Sequence, residues 1–463
     1  MSFSPQEKQA TGALAGIYSL RMLGLFMLLP VFSLYAGDEY KQVTPFLIGL
    51  AVGVYGLTQA LFQIPYGLLS DRVGRKPLIY FGLALFAMGG VVAALSESIY
   101  GVIAGRALQG SGAIAAVTTA LLSDLTQEEN RTKAMAVIGM SIGLSFMLAM
   151  MVAPSLVGWV GLGGLFWITA ILAVGGMWVS YSFVPTPQSF NRNKEALPVL
   201  GQLRGVFFSK ALIPLNLSIF LLHFILTACF VVLPLILNQY SGLESSEHGH
   251  IYLLTIGLSF LAMLPLMIFA EKMARIKEVF LLAVVIMFIG LLLLALYHRD
   301  LDSIVLALFL FFFSFNLLEA LLPSLVSRVA PAGQKGSAMG VYSSGQFLGA
   351  FLGGILGGGL SGSLGYSSVF IALLLLVLVW FYVIWTMDAP ILLQGKVLRL
   401  WPEGGAPKPQ RGSALLEDLL GIDGVEEAVV LEDEGVAYLK VDKRTLDVAQ
   451  LEKLSLVNPQ QNK

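Results

Sequence analysis

Long apolar segments separated by short polar stretches dominate the chain between residues 11 and 387. Twelve of these segments are about 20 residues or longer, the length that an α-helix needs to cross the hydrocarbon core of a bilayer. They are 11–36, 44–70, 77–95, 99–122, 134–158, 163–184, 213–240, 248–270, 279–297, 302–327, 336–361 and 365–387. The pattern predicts an all-α polytopic membrane protein with twelve transmembrane helices.

The composition agrees with a surface that mostly faces lipid. Hydrophobic residues make up 57% of the chain and charged residues 12%, whereas soluble domains carry about 25% charged residues. A single cysteine, Cys229, leaves no disulfide framework and no cysteine-based metal site. The sequence also lacks a phosphate-binding glycine loop and a catalytic nucleophile arrangement. We therefore expect neither an enzyme nor a nucleic-acid-binding protein, and no cofactor or metal.

The loop charges predict the orientation of the bundle. If the N-terminus is cytoplasmic, the outer loops hold two basic residues, Lys41 and Arg299. The inner loops then hold fifteen, namely Lys8, Arg72, Arg75, Lys76, Arg131, Lys133, Arg192, Lys194, Arg204, Lys210, Lys272, Arg275, Lys277, Arg328 and Lys335. Because basic residues concentrate in cytoplasmic loops, both termini are expected on the cytoplasmic side.

The two parts of the membrane region resemble each other. With a shift of 200 residues, IPYGLLSDRVGR at 64–75 lies over LPLMIFAEKMAR at 264–275, and Pro65 matches Pro265. Parallel halves that enclose a substrate site are an architecture of secondary transporters. The predicted parts are an N-terminal six-helix half (1–184), a cytoplasmic linker (185–212) and a C-terminal six-helix half (213–388).

A charged turn, GLLSDRVGRKPL at residues 67–78, separates the second and third apolar segments. Its pattern G-x-x-x-D-R-x-G-R-K resembles the signature loop of the major facilitator superfamily, which also shares the helix count and the duplicated halves. The resemblance implies a conformational latch at the cytoplasmic face, favoured when the carrier opens outward. Its residues here are Gly67, Asp71, Arg72, Gly74, Arg75 and Asp124.

The residue types explain how such a latch could work. Asp71 ends the second helix, where its carboxylate can lie at the positive N-terminus of the eleventh helix. Gly67 allows the two backbones to approach, and Gly74 permits a tight turn. Arg75 is placed to pair with Asp124 at the end of the fourth helix. The alternative is a solvated turn whose basic residues only set the topology.

A second motif, RALQG at residues 106–110, lies at mid-depth in the fourth apolar segment. It resembles the Arg-x-x-Gln-Gly motif of the same superfamily, which implies a part in proton coupling. An arginine inside a membrane costs a few kcal/mol and normally faces a cavity or an acid. Arg106 would therefore act on a neighbouring acid or on local water. The alternative is a structural role, with Arg106 bonded to backbone groups of a neighbouring helix.

Glu319 is an acid deep inside an apolar segment, FNLLEALLPSL of the tenth helix. A carboxyl group in such a place suits a reversible proton carrier, so we predict that Glu319 and Arg106 belong to the proton-coupling apparatus. A permanent ion pair between helices is the alternative for Glu319. Further candidates for the central cavity, or for bonds between helices, are Arg21, Gln59, Gln63, Gln109, His223, Asn316 and Gln346.

Beyond Met387 the chain becomes polar and no further segment is long enough to span a membrane. The pattern predicts a strand in GKVLRLW, a helix in SALLEDLLG, a hairpin in VEEAVVLEDEGVAYLKVD and a helix in RTLDVAQLEKLSL. This order predicts a linker at 389–395 and a ferredoxin-like α+β domain at 396–456. We expect the domain to bind a small ligand and to modulate transport; a tethered stability module is the alternative.

The function predicted is a proton-coupled secondary transporter that works by alternating access in a bacterial inner membrane. The resemblance implies the drug/proton antiporter branch, and hence export; import of a small metabolite is the alternative within transport. A non-transporting receptor or scaffold that signals through the tail is the alternative outside it. The expected partners are the lipid bilayer, protons and a small-molecule substrate, and the protein is expected to act as a monomer.

Overall fold

The computed structural model describes residues 3–185, 200–273, 275–331, 334–388, 394–400, 412–431, 436–442, 445–448 and 450–451. These residues form a bundle of long helices and a small α/β unit. The predicted hairpin turn at 433–435 and seven of the thirteen residues of the second predicted tail helix (444–456) lie outside the described residues.

The bundle consists of helices of very different length. The first half contains α1 (Pro5–Phe26), α2 (Phe32–Glu39), α3 (Pro45–Val73), α4 (Arg75–Ala94), α5 (Ile99–Ser111), α6 (Ala115–Asp124) and α7 (Glu128–Phe183). The linker contains the short helix α8 (Leu200–Phe207). The second half contains α9 (Ile213–Tyr240), α10 (His248–Lys272), α11 (Ile276–Tyr297), α12 (Leu301–Val329), α13 (Lys335–Leu364) and α14 (Tyr366–Thr386).

Two segments predicted as single helices are divided. The first breaks between α1 and α2, where Pro30 has no N–H group to donate to the preceding turn. The fourth breaks between α5 and α6, at Gly112 to Ile114. Gly112 packs so closely on α4 that a Cβ would overlap the carbonyl of Gly82. The RALQG motif therefore lies just before a break in its helix.

The fifth and sixth predicted segments, 134–158 and 163–184, both lie within α7, which is interrupted at Gly161 between them. Within α7, Gly161 departs from helical dihedrals with a φ of 68°, which a residue without a Cβ adopts readily. Across the described ranges, nine helices are long and apolar enough to cross a membrane, and the stretch Lys133–Phe183 within α7 covers two predicted segments. The count of twelve crossings stays a prediction.

We call the end of the bundle that carries the α2–α3 loop the outer end. The two halves are in contact from this end to the middle of the bundle. The α3 and α13 backbones touch there, since a Cβ at Gly49 would overlap the carbonyl of Gly354. Ser155 of α7 also donates to the carbonyl of Ser246, just before α10, at 3.0 Å. The opposite, inner end carries the α3–α4 turn. The outer end is therefore closed in this conformation.

The largest apolar cluster fills the second half, with α9 at its centre, and also includes Phe146 and Met150 of α7. The α9 residues Ile219, Leu222, Ile225 and Val232 are fully buried. Separate clusters fill the first half, around Ile17 and Leu83 and around Phe32 and Phe166, among others. A polar side chain in the middle of α9, such as that of His223, therefore projects from a largely apolar helix.

The tail contains β1 (Gln394–Arg399), α15 (Gly412–Leu420), β2 (Val425–Leu431) and β3 (Val436–Val441). The strands form an antiparallel sheet in the order β1-β3-β2. Alternating residues of β3 pack with Leu419 of α15 in a separate apolar core. The predicted strand, helix and hairpin arms are thus present, while the ferredoxin-like assignment stays a prediction because it also needs the second helix.

Candidate functional site

Three polar side chains meet in the second half, each from a different helix. Glu319 lies on α12, His223 on α9 and Gln346 on α13. The amide Nε2 of Gln346 lies 2.8 Å from His223 Nε2 and donates to Glu319 Oε1 at 3.4 Å. Glu319 Oε2 lies 3.8 Å from His223 Nε2. We call Glu319, His223 and Gln346 the central triad.

The triad combines an apolar wall with access from one side. The side chain of Glu319 is 38% exposed and that of His223 13% exposed. The ring of Phe315 lies 5.7 Å from the ring of His223. Glu319 Oε2 itself is buried and has no hydrogen-bond partner among the described residues. A carboxyl group and an imidazole in such a place can exchange a proton with each other.

Two more polar residues near the triad escaped sequence analysis. Tyr342 lies one helical turn before Gln346 on α13, and Asn216 two turns before His223 on α9. The Tyr342 hydroxyl and Asn216 Oδ1 are buried and have no hydrogen-bond partner among the described residues. The helical spacing from Gln346 and His223 was the signal that could have found them.

Arg21 lies inside the first half, where it is 1% exposed. Its Nη2 donates to Tyr55 Oη and to Gln59 Oε1, both at 2.7 Å. The same nitrogen donates to the carbonyl of Gly112 at 3.2 Å, at the C-terminus of α5. A helix C-terminus carries partial negative charge and stabilises a cation, so the break after α5 explains how a buried arginine is tolerated here.

Arg106 is equally buried and is bonded to backbone groups of α3. Its Nε and Nη2 each donate at 3.3 Å, to the carbonyls of Ala51 and Val52 respectively. Its Nη1 donates to Gln109 Oε1 at 3.1 Å, and the guanidinium lies 5.0 Å from the centre of the Tyr55 ring. Bonds from Arg106 to backbone groups of a neighbouring helix are what the alternative of a structural role predicts.

The remaining cavity candidates also form hydrogen bonds, within α3 for Gln59 and Gln63 and between helices for Gln109 and Asn316. Gln59 Nε2 donates to Gln63 Oε1 at 3.0 Å, and Gln109 Nε2 donates to Thr169 Oγ1 at 3.1 Å. These three glutamines are at most 3% exposed, so they lie inside the first half. Asn316 donates to Ser259 Oγ of α10 at 3.0 Å.

The structure therefore separates residues that the sequence grouped together. In the part of the chain that it describes, no hydrogen bond or ion pair joins Arg106 to Glu319. Arg106 belongs to the first half and Glu319 to the second. The polar side chains that lie beside Glu319 are those of His223 and Gln346. The sequence placed both only among general cavity candidates.

At the inner end, the structure brings two of the latch residues together. Arg75 Nε lies 3.1 Å from Asp124 Oδ2, and both side chains are less than 5% exposed. Arg75 Nη1 also donates to Ser70 Oγ, so the ion pair ties α4 to the ends of α3 and α6. Gly74, between α3 and α4, has a φ of 100°, which requires a glycine.

The other latch residues lie around the same turn. Ser70 Oγ donates to the carbonyl of Gly67 at 2.7 Å. Arg72 is exposed and Gly67 is buried, both in the last two turns of α3. Asp71 lies in the last turn of α3, and its side chain is outside what the structure describes.

Comparison with known proteins provides independent information. The family model of the Major Facilitator Superfamily matches residues 14–260 and 215–397. The inner membrane transport protein YajR of Escherichia coli K12 is 44% identical over 449 residues, which cover 97% of each chain. An uncharacterized transporter of Buchnera aphidicola from Acyrthosiphon pisum is 36% identical, over 74% of this chain and 88% of its own.

Solved structures show the same fold at low sequence identity. A bacterial homologue of the human lysosomal transporter Spinster, in an inward-facing and occupied conformation, superposes with a TM-score of 0.68 at 12% identity. The superposition covers 84% of this chain and 98% of that one. At this identity the likeness concerns the fold alone.

Proposed function

The chain belongs to the major facilitator superfamily and is a membrane transporter, and from this premise we propose that it is a proton-coupled exporter of small molecules that works by alternating access. It is a multi-pass protein of the inner membrane. We assign twelve crossings, of which α1–α2 supply the first, α5–α6 the fourth and α7 the fifth and sixth. The halves are 1–184 and 213–388, and both termini are cytoplasmic.

The central triad is the observation that carries proton coupling. Inside the membrane, an acid that stays charged needs a partner or water, whereas a protonated acid does not. Glu319 has both a nearby imidazole at 3.8 Å and partial exposure, so it can gain and lose a proton as the solvent around it changes. We therefore assign proton carriage to Glu319, assisted by His223, with Gln346 holding both in place.

Arg106 takes a supporting part in this scheme. Its contacts with the α3 backbone fix α5 against α3, close to where α3 meets α13. We propose that it transmits changes in the first half to the contact between the halves and does not exchange protons itself. The latch of Asp71, Arg75 and Asp124 is proposed to close the inner end when the outer end opens.

A substrate-free measurement tests proton coupling. Spin labels at Leu95→Cys and Ser363→Cys, two exposed positions at the outer ends of the first and second halves, report opening through their distance. The buried Cys229 is replaced by serine. We expect the distance distribution of the otherwise wild-type protein to change between about pH 5 and pH 8, since protonation of Glu319 changes the relative stability of the two states.

Glu319→Gln should abolish this pH dependence while the protein stays folded and inserted. Glu97→Gln is the matched control, because Glu97 is an exposed acid at the outer end whose ion-pair partner is Lys41, at 3.0 Å. A pH response that persists in Glu319→Gln and disappears in Glu97→Gln would contradict the assignment. Flux of a fluorescent lipophilic dye in inside-out vesicles, with and without a proton gradient, then distinguishes export from import.

A further inference from the structure

The helix α8 and the turn after it carry both buried and exposed side chains, and only the buried ones are explained by the bundle. Val206 is fully buried, and Leu203 packs against the core of the second half. That core includes Ala338 and Tyr342 on the inner part of α13, and α8 and α13 are in contact. One face of α8 therefore rests on α13, one turn before the residue Gln346 of the central triad.

The exposed side chains of this segment, two in α8 and two just after its end, are aromatic and basic. Phe207 is 57% exposed and Phe208 66% exposed, and their rings lie 5.1 Å apart. Arg204 and Lys210, on either side of the pair in sequence, are also exposed. Exposed aromatic residues flanked by lysine and arginine are typical of helices that lie in the membrane interface and bind anionic lipid.

The position of α8 supports this interpretation. A tight turn, in which the Ile213 amide donates to the carbonyl of Ser209 at 2.9 Å, leads directly into α9. The aromatic pair therefore lies a few residues from the start of a membrane-crossing helix. By the distribution of basic residues, this is the cytoplasmic side, where bacterial and other membranes present anionic headgroups to basic segments.

We propose that the exposed side chains at the end of α8, from Arg204 to Lys210, bind the anionic headgroups of the inner leaflet, and that this contact stabilises the conformation with a closed outer end. Phe207 and Phe208 insert at the headgroup level, and Arg204 and Lys210 bind the lipid phosphates. Helix α8 rests on α13, and α13 also contacts α3 at the outer end. Lipid binding at α8 therefore affects the contact between α13 and α3 through one rigid helix.

The test compares the full-length protein in nanodiscs of neutral phosphatidylcholine with nanodiscs that also contain phosphatidylglycerol. The spin labels at Leu95→Cys and Ser363→Cys report the outer end, at fixed pH. We expect phosphatidylglycerol to favour the short distance by about fivefold for each basic residue, the equivalent of about 1 kcal/mol per lysine or arginine at an anionic surface. Salt at about 1 M should remove most of the effect, since it reduces the screening length to about 3 Å.

Three variants decide the outcome. Arg204→Gln with Lys210→Gln should lose the response to phosphatidylglycerol, and Arg204→Lys with Lys210→Arg should keep it. Lys8→Gln, which removes an exposed basic residue of the inner end outside α8, should respond like the unmodified protein. A glutamine double variant that still responds fully, or an equal loss in Lys8→Gln, would overturn the proposal. The test does not involve Glu319, so its result is independent of proton coupling.

Discussion

The glycines of α13 form two rows, which consist of the same residue type but pack against different helices. Gly349, Gly353 and Gly357 face α9, where a Cβ would overlap Phe220 O or Phe224 O, or crowd Ala228. Gly354 and Gly358 face α3, where a Cβ would overlap Gly49 O or Pro45 O. The first row packs within the second half, whereas the second row joins the two halves.

Small residues let transmembrane helices approach until their backbones touch. In a carrier with alternating access, the α9 row must persist through the cycle and the α3 row must separate. The same substitution should therefore reduce stability in one row and change the conformational equilibrium in the other. This difference can be measured at adjacent positions of a single helix.

The largest effect is expected for Gly353→Ala, in the row that faces α9. The new Cβ would overlap the carbonyl of Phe224, and overpacking of this kind costs about 1–3 kcal/mol. We expect a lower Tm in detergent, with little change in the Leu95–Ser363 distance among folded molecules. Gly359→Ala is the control, because its Cβ would meet only the ring of Phe46 at 4.0 Å. Equal Tm values for the two variants would contradict the prediction.

Gly358→Ala, in the row that faces α3, should act on the equilibrium between states. Its Cβ would overlap the carbonyl of Pro45 across the contact between the halves. Because the molecule can avoid this overlap by opening, we expect the outer-open population to rise about tenfold, which corresponds to about 1.4 kcal/mol. Spin-label distances measure this population, and the Tm should change less than in Gly353→Ala. A large drop in Tm without opening would show that the second row is as permanent as the first.

Glu7 makes a contact within the first half. Its loss, like a substitution in the glycine row that faces α9, should reduce stability without opening the outer end. Glu7 is 4% exposed and accepts bonds from the Gln127 amide at 2.8 Å and from Asn130 Nδ2 at 3.2 Å, joining α1 to the start of α7. Burial by itself raises the pKa of this carboxyl, but hydrogen bonds from Gln127, Ser4 and Asn130 lower it below the usual value. Glu7 therefore stabilises the fold in its charged form.

We expect Glu7→Gln to reduce the free energy of unfolding by about 1 kcal/mol, the typical cost of a weakened helix cap, without opening the outer end. The sign of the pH dependence follows from the lowered pKa. The contribution is fully present above the unfolded value of about 4.3 and is lost as the pH falls through the lower folded value. Thermal melts at pH 7 should separate the variant from the parent protein, and melts near pH 3 should bring them closer.

Sequence analysis predicted many long apolar helices, which the structure shows, because hydropathy is a local property. It placed the ends of α9, α10 and α14 within a few residues. It missed the breaks near Pro30 and Gly112, since a mean over 20 apolar residues hides one interrupted turn. It separated the two helical parts of α7 correctly, since the break at Gly161 lies between the predicted ends at 158 and 163.

The site could be predicted as a set of residues and not as a set of contacts. The sequence identified Glu319 and His223 because polar residues are rare in apolar segments. It could not pair them, since α9 and α12 are about 100 residues apart and their facing sides depend on packing. Arg106 was paired with Glu319 on chemistry alone, and the structure gives it backbone partners in the other half.

The smallest effect is expected at the inner end, for a substitution of Asp71. Asp71 lies in the last turn of α3, and α13 begins at Lys335, so the helix that closes the outer end also presents its N-terminus on the inner side. An acid at a helix N-terminus contributes about 0.3–1 kcal/mol when exposed. If Asp71 holds the inner end closed in the outward-open state, Asp71→Asn should shift the population about threefold toward the outer-closed state. The Leu95–Ser363 distance measures this shift, best in the Gly358→Ala background, where the outer-open state is more populated.

Glu271→Gln, at the matching position of the second half, is the control and should leave the distance unchanged. An equal shift in both variants would mean that loss of an acid at the inner end acts through general charge and not through a latch.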